Sequence, residues 1–233
     1  MWNSVSPLSL KLSPTLLDAY DFYRNCPQSW KERAWEGIVS KLKAEPFVET
    51  EAIRKGHAFE DAAEHYCKTG NLPLPFNEQP EPFAKLFEAC EGAEWQRWVR
   101  GAIKVLHADE VYQVRLNNKL DVYFPKGSIY KPAGHIIDLK TTGHYRGASK
   151  YQSGWQHVFY CYVTGITTFD YIVAEWEADD SYTIKALHRV PCQTDVEVCE
   201  REMRNSIAGF FAWLKGAKLW DAYVYDYCKN PRP

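Results

Sequence analysis

Apolar positions recur along the chain with two periods, and the switches between them mark out the elements. Ser13-Pro14 followed by Leu16, Leu17, Tyr20 and Tyr23 has the spacing of a helix face. The serine is placed to cap it, the proline suits its first turn, and the pattern stops near Asn25-Cys26-Pro27. Trp30, Trp35, Ile38 and Leu42 predict a second helix over 28–42, closed before Glu45-Pro46. Helical spacing resumes at Glu49 or Thr50, runs through Ile53, Gly56, Phe59, Ala63 and Tyr66, and ends at Thr69-Gly70, where glycine suits the cap. A proline-rich loop over 71–82 leads to a predicted helix over 82–104, carrying Phe83, Leu86, Phe87, Trp95, Trp98 and Val99, with Gly92 able to break it in two.

Alternation then takes over. Residues 111–116 and 119–124 read as strands joined by a turn at Asn117-Asn118, and a Gly- and Pro-rich loop over 125–134 leads to a strand over 134–142. Three antiparallel strands in succession are the simplest arrangement. A basic loop over 144–150 and a helix over 149–163 follow, then strands over 169–176 and 182–189 joined by an acidic turn at 177–181. A long helix over 194–215 places Cys199, Met203, Ile207, Phe210 and Leu214 on one stripe, and an aromatic tail over 220–227 is expected to dock on the domain. These elements predict an α/β (α+β) fold, a central mixed sheet with an antiparallel hairpin flanked by helices. The chain is expected to form one domain, with a helical extension at 1–48, a core at 49–190 and a C-terminal helix and tail at 191–233.

The strand 134–142 departs from an ordinary core strand. Ile137 and Leu139 share one face, while Ile136, Asp138 and Lys140 share the other. A buried carboxylate or ammonium costs several kcal/mol unless it finds partners, so such a strand serves chemistry or an ion pair unless its end is solvated. If Phe124 pairs with His135 across the loop, Asp121 faces Asp138. Directly opposed residues lie about 4.5 to 5.5 Å apart, where like charges repel, so something positive belongs between them. A hard dication such as Mg²⁺ or Mn²⁺ takes oxygen ligands and fits this pair, whereas a one-residue slip would turn Asp121 to the other face. Glu60 and Glu64, one helical turn apart, could bring a third carboxylate.

Composition narrows the partners. With 233 residues, 45% hydrophobic and 15% aromatic, the chain can bury a full core, and its net charge of -2 excludes a global basic field, so any DNA contact must be local. Without a secretory signal or a membrane-length apolar run it is expected to be intracellular, cytoplasmic and free of membrane contact. Seven cysteines show no Cys-x-x-Cys pair and no zinc-type spacing, and their scatter argues against an iron–sulfur cluster.

The order Glu60, Asp121, Asp138-Leu139-Lys140 resembles the PD-(D/E)XK nuclease superfamily. Arg54-Lys55-Gly56-His57-Ala58-Phe59-Glu60 is similar to the helix of phage lambda exonuclease-like and YqaJ-type recombination nucleases. The segment around Cys26-Pro27 and Trp30-Lys31 instead resembles the start of RecB-like members, some of which carry an iron–sulfur cluster. Those members usually place a metal-binding histidine where this chain has Glu60, and His57 lies one turn too early to replace it. Gln156 and Tyr160 match a Gln-x-x-x-Tyr element that follows the catalytic strands.

The resemblance implies a restriction-endonuclease-like core and a Mg²⁺- or Mn²⁺-dependent deoxyribonuclease, an exonuclease of recombination, repair or replication, of a type often encoded by phages. Glu60, Asp121, Asp138 and the Leu139 carbonyl would hold metal, with Glu64 and His57 as auxiliaries and Lys140 orienting water or offsetting charge. Gln156 and Tyr160 would hold the substrate backbone or the lysine. Thr141, Thr142, His144, Arg146 and Lys150, just past the strand, could grip phosphates. The implied partner is single- or double-stranded DNA, its ends favoured. The lambda branch also brings homo-oligomers and recombination or replication partner proteins into view. The rival readings are a nuclease-derived fold that binds nucleic acid or protein without cutting, which the lysine and both aspartates argue against, and a RecB-like iron–sulfur nuclease, which the cysteine spacing argues against.

Overall fold

The computed structural model describes residues 10–46, 48–178 and 181–229. In chain order the elements are β1 (Leu10–Leu12), α1 (Pro14–Asn25), a short 3₁₀ turn (Gln28–Trp30), α2 (Lys31–Leu42), α3 (Glu51–Thr69) and α4 (Pro80–Cys90). Then come β2 (Glu94–His107), β3 (Glu110–Phe124), β4 (His135–Thr142), α5 (Ser149–Gln152), α6 (Gln156–Thr164), β5 (Thr168–Trp176), β6 (Ile184–Gln193) and α7 (Val196–Gly216). A π-helical turn over Ala222–Tyr227 ends the described chain. The expected caps are present: Ser13 and Thr50 accept from Leu16 N and Ile53 N, and Gly70 closes α3 at φ 73°.

The long alternating run of β3 is the strand on which the sheet is assembled. β2 pairs antiparallel along one edge, while β1, parallel, and β4, antiparallel, share the other edge at different levels. β4 then pairs parallel with β5, and β5 antiparallel with β6, giving a six-stranded mixed sheet. One face carries α1, α2, α6 and α7 over Ile103, Val105, Val114, Leu116 and Ile136. The other carries α3 and α4 over Val122, Ile137, Leu139 and Ile172. Phe59 of α3 is wholly buried there, which stabilises the packing by on the order of 2 kcal/mol.

Three expectations are corrected. The helix expected over 82–104 ends at Cys90, and Trp95, Trp98 and Val99 lie on strand β2. Gly92 adopts φ 77°, which no helix tolerates, and beyond it Val99, Gly101, Ile103 and Val105 alternate against β3. The turn expected at Asn117-Asn118 is strand: both residues pair with β2, at Arg100 and Val99, and the hairpin turns at Ala108-Asp109, with φ 51° and 62°. Three successive antiparallel strands exist, but they are β2, β3 and β4. The helix expected over 149–163 is two pieces, α5 and α6, separated at Ser153-Gly154-Trp155. Asp179 and Asp180 of the expected acidic turn lie outside the described residues, as do positions 1–9 and 230–233 of the expected terminal segments.

The aromatic tail docks as expected. Tyr223 is fully buried and donates to Lys11 O at 2.8 Å, and Tyr227 hydrogen-bonds Ser13 Oγ at 3.0 Å. Among the described residues no helix is long and apolar enough to cross a membrane.

Candidate active site

The site forms where β3 and β4 part. Their ladder runs Phe124↔His135, Tyr123↔Ile136 and Val122↔Ile137 and stops there, so the next level holds Asp121 and Asp138, the register anticipated from the sequence. On the far side of β3 the pairs Trp95↔Val122 and Arg97↔Leu120 leave Gln96 opposite Asp121. Gln96 has φ 54°, and here the ribbon changes faces: Trp95 packs with the α3 and α4 core, whereas Val99 packs with the α6 and α7 core. Asp121 therefore sits at a pivot of the sheet. Its Oδ2 accepts Leu139 N–H at 2.9 Å.

Asp138 is 1% exposed. Its Oδ1 accepts Gln156 Nε2, while Oδ2 pairs with Lys140 Nζ yet has no directional hydrogen bond. Burial pushes the Asp138 carboxyl up to about 7; Lys140 opposes the shift, and Asp121 and Glu60 add to it. Burial raises Asp121 as well. Lys140, by contrast, is held above the ordinary lysine range. Burial alone would lower it, but Asp138, Asp121 and Glu60 outweigh that.

α3 delivers Glu60 from the opposite layer. Phe59, Ala62 and Ala63 fix its inner face on the sheet, and Gly56 of the same helix faces Thr141 Oγ1 of β4. Burial, then the charge of Asp121, push Glu60 up to about 7, with Lys140 and His57 opposing. Glu64 pairs instead with Lys68, and His57 with Glu49 at 3.3 Å. Of the two candidate glutamates, only Glu60 belongs to this cluster of charges.

Gln156 and Tyr160 act as a unit. Gln156 Nε2 also donates to Tyr160 OH at 2.7 Å, and Tyr160 OH donates to Lys119 O at 3.0 Å, so α6 holds both the Asp138 carboxyl and the strand leading to Asp121. Past the strand, Thr142 Oγ1 ties the turn to His144, donating to its carbonyl at 3.0 Å, and His144 Nδ1 lies 3.9 Å from Glu175. Arg146 and Lys150 are exposed, the latter over the Tyr151 ring. Among the described residues no three His, Cys, Asp or Glu side chains form a ready metal cage.

No family model and no curated protein matches the chain. Among solved structures it is similar to a phage-related exonuclease from Haemophilus somnus 129PT, at 12% identity over 93% of this chain and 99% of that one, with TM-score 0.45. It is also similar to LHK-Exo in complex with dAMP, at 12% identity over 90% of both chains, TM-score 0.44. A third is SSO0001, at 14% identity over 88% of this chain and 78% of that one, TM-score 0.44.

Two groupings are invisible in the sequence. Asp18 and Asp21 of α1 clamp Trp155 just before α6: Asp18 Oδ1 accepts its backbone N–H at 2.8 Å and Asp21 Oδ2 its indole N–H at 2.5 Å. Asp18 is also close enough to feel the charge of Lys140. At the C-terminal end of β5, Glu175 gathers Lys185 at 3.0 Å and His188 at 2.9 Å, and hydrogen bonds from His188 and Lys185 hold its carboxyl down at about 2. The i, i+3 spacing of Asp18 and Asp21 puts both on one helix face, but nothing local names Trp155 as their partner.

Proposed function

We propose that the chain is a divalent-metal-dependent nuclease that hydrolyses DNA phosphodiester bonds, acting from ends in recombination, repair or replication. The observation that carries this reading is that Asp121, Asp138 and Glu60 all act electrostatically on Lys140, at the point where two strands separate. The donor set fits a hard cation: three carboxylates face one ammonium, two of them are pushed up to about 7, and Asp138 Oδ2 has no directional hydrogen bond. Glu60, Asp121, Asp138 and the Leu139 carbonyl are the groups that would hold such an ion. Bound there, it would polarise a phosphodiester oxygen and lower the pKa of a water.

The chain's own side chains do the rest. Lys140 stays protonated, so it cannot serve as general base; it orients the attacking water and offsets charge that develops on phosphate oxygens. Gln156 fixes the rotation of the Asp138 carboxylate, and Leu139 N–H fixes that of Asp121. Burial of Asp138 strengthens the interactions made by its carboxylate.

The test is digestion of end-labelled linear and closed circular DNA with Mg²⁺ or Mn²⁺. Linear DNA is degraded and the circle resists. Asp138→Ala and Lys140→Ala abolish cutting while circular dichroism stays native. Cutting by both variants at the wild-type rate, or in excess chelator, would overturn the assignment. Metal-independent binding of DNA without cutting would point to the non-cleaving alternative.

A further inference from the structure

The ribbon of β2 and β3 buries one face under α6 and α7, and among the described residues the other face is exposed. Cross-strand pairs on the bare face are Trp98↔Lys119, Arg100↔Asn117, Ala102↔Arg115 and Lys104↔Gln113. Read outward from the site, the cations alternate between strands: Lys119, Arg100, Arg115, then Lys104, one at every second residue level and all exposed. Two residues of strand span about 6.7 Å, the order of the separation between successive phosphates along a polynucleotide strand. No carboxylate interrupts this face between Trp98 and Leu106 on β2 or between Val111 and Lys119 on β3. Among the described residues none of the four side chains is in an ion pair or hydrogen bond, so they are not committed to internal structure.

The row also has a direction. It starts next to Asp121, whose carboxyl Lys119 helps to lower, and Trp98 stands on that first rung, 46% exposed. We propose that this strip binds the backbone of a single DNA strand, four successive phosphates leading to the Asp121 and Asp138 site, with Trp98 stacking on a base at the near end. A single strand suits it because the cations form one row along the ribbon, whereas a duplex presents two backbones wound about each other. An aromatic face can stack on a base only once that base has left its pair. The proposal rests on the nuclease reading for its direction, but not for its binding chemistry.

Binding is measured on the wild-type chain in chelator by fluorescence anisotropy, using a labelled single-stranded oligonucleotide and a blunt hairpin duplex over a range of salt. Removing one cation that neutralises a phosphate makes the slope of log K against log salt shallower by about 0.7, so the slope for the single strand falls by about 1.4 in the Arg100→Gln, Arg115→Gln pair. Trp98→Ala weakens binding and leaves the slope unchanged. A Lys41→Gln, Lys43→Gln pair on exposed positions at the end of α2 behaves as wild type. An unchanged slope in the Arg100, Arg115 pair, an equal loss in the Lys41, Lys43 pair, or an equal loss for the blunt duplex overturns the proposal. Strip-dependent binding by a protein that cuts nothing with Mg²⁺ would keep the strip and sink the nuclease.

Discussion

Asp138 should destabilise the fold that it serves, and Asp138→Asn tests this. Burial moves its carboxyl from the ordinary 3.8 up to about 7, so the ionised form costs on the order of 4 kcal/mol of stability. The amide keeps an oxygen for Gln156 and removes the charge; its NH2, set against the Lys140 ammonium where Oδ2 stood, returns part of the gain, leaving the variant about 2 kcal/mol more stable. For a chain of this length that is about 4 to 8 °C in Tm. The folded protein binds this proton more tightly than the unfolded chain. The penalty is therefore absent below the ordinary value, grows as pH rises, and is complete above about 7. Thermal melts in chelator should show a gap between variant and wild type that is small near pH 4 and full near pH 8. A variant that melts at or below wild type at the alkaline end, or a gap that ignores pH, would refute the reasoning.

Mg²⁺ should raise the Tm of wild type in proportion to its saturation and leave Asp138→Asn nearly unmoved; equal shifts in both would place the ion elsewhere. Burial holds the His157 imidazole down at about 4, so the unfolded chain takes up this proton first, and about 3 kcal/mol of stability is lost as pH falls from 6.5 toward 4. His157→Phe should remove that acid-side loss from urea midpoints, opposite in sign to the Asp138 effect; an unchanged slope refutes it. Gly92→Ala should cost at least about 1 kcal/mol, because φ is 77° and the new Cβ would collide with the Tyr130 ring; an unchanged denaturation midpoint would contradict it.

Local rules found the capped helices because their signals sit within a few residues of each other: Ser13-Pro14, Thr50 and Gly70 need no distant partner. They failed at β2. Trp95, Trp98 and Val99 satisfy helical spacing, and only pairing with β3 decides for the strand. Asn117-Asn118 has turn composition, yet strand pairing overrides it, and the real turn uses the less conspicuous Ala108-Asp109. At the site, the opposition of Asp121 and Asp138 was legible because hairpin register propagates by arithmetic. The hold of Gln156 on Asp138, the Trp155 clamp and the Glu175 cluster join residues 10 to 137 positions apart, which no periodicity encodes.

The fastening at Tyr223 has a consequence for the whole machine. The last described turn locks the backbone at Lys11, the strand at Lys11 enters α1, and α1 grips Trp155 one residue before the glutamine that steadies the central aspartate. The first and last described elements thus act as a latch on a carboxylate and lysine cluster whose members lie between residues 60 and 160. Removing β1 or the docked aromatic turn should loosen the hold on Asp138 without removing any member of the cluster.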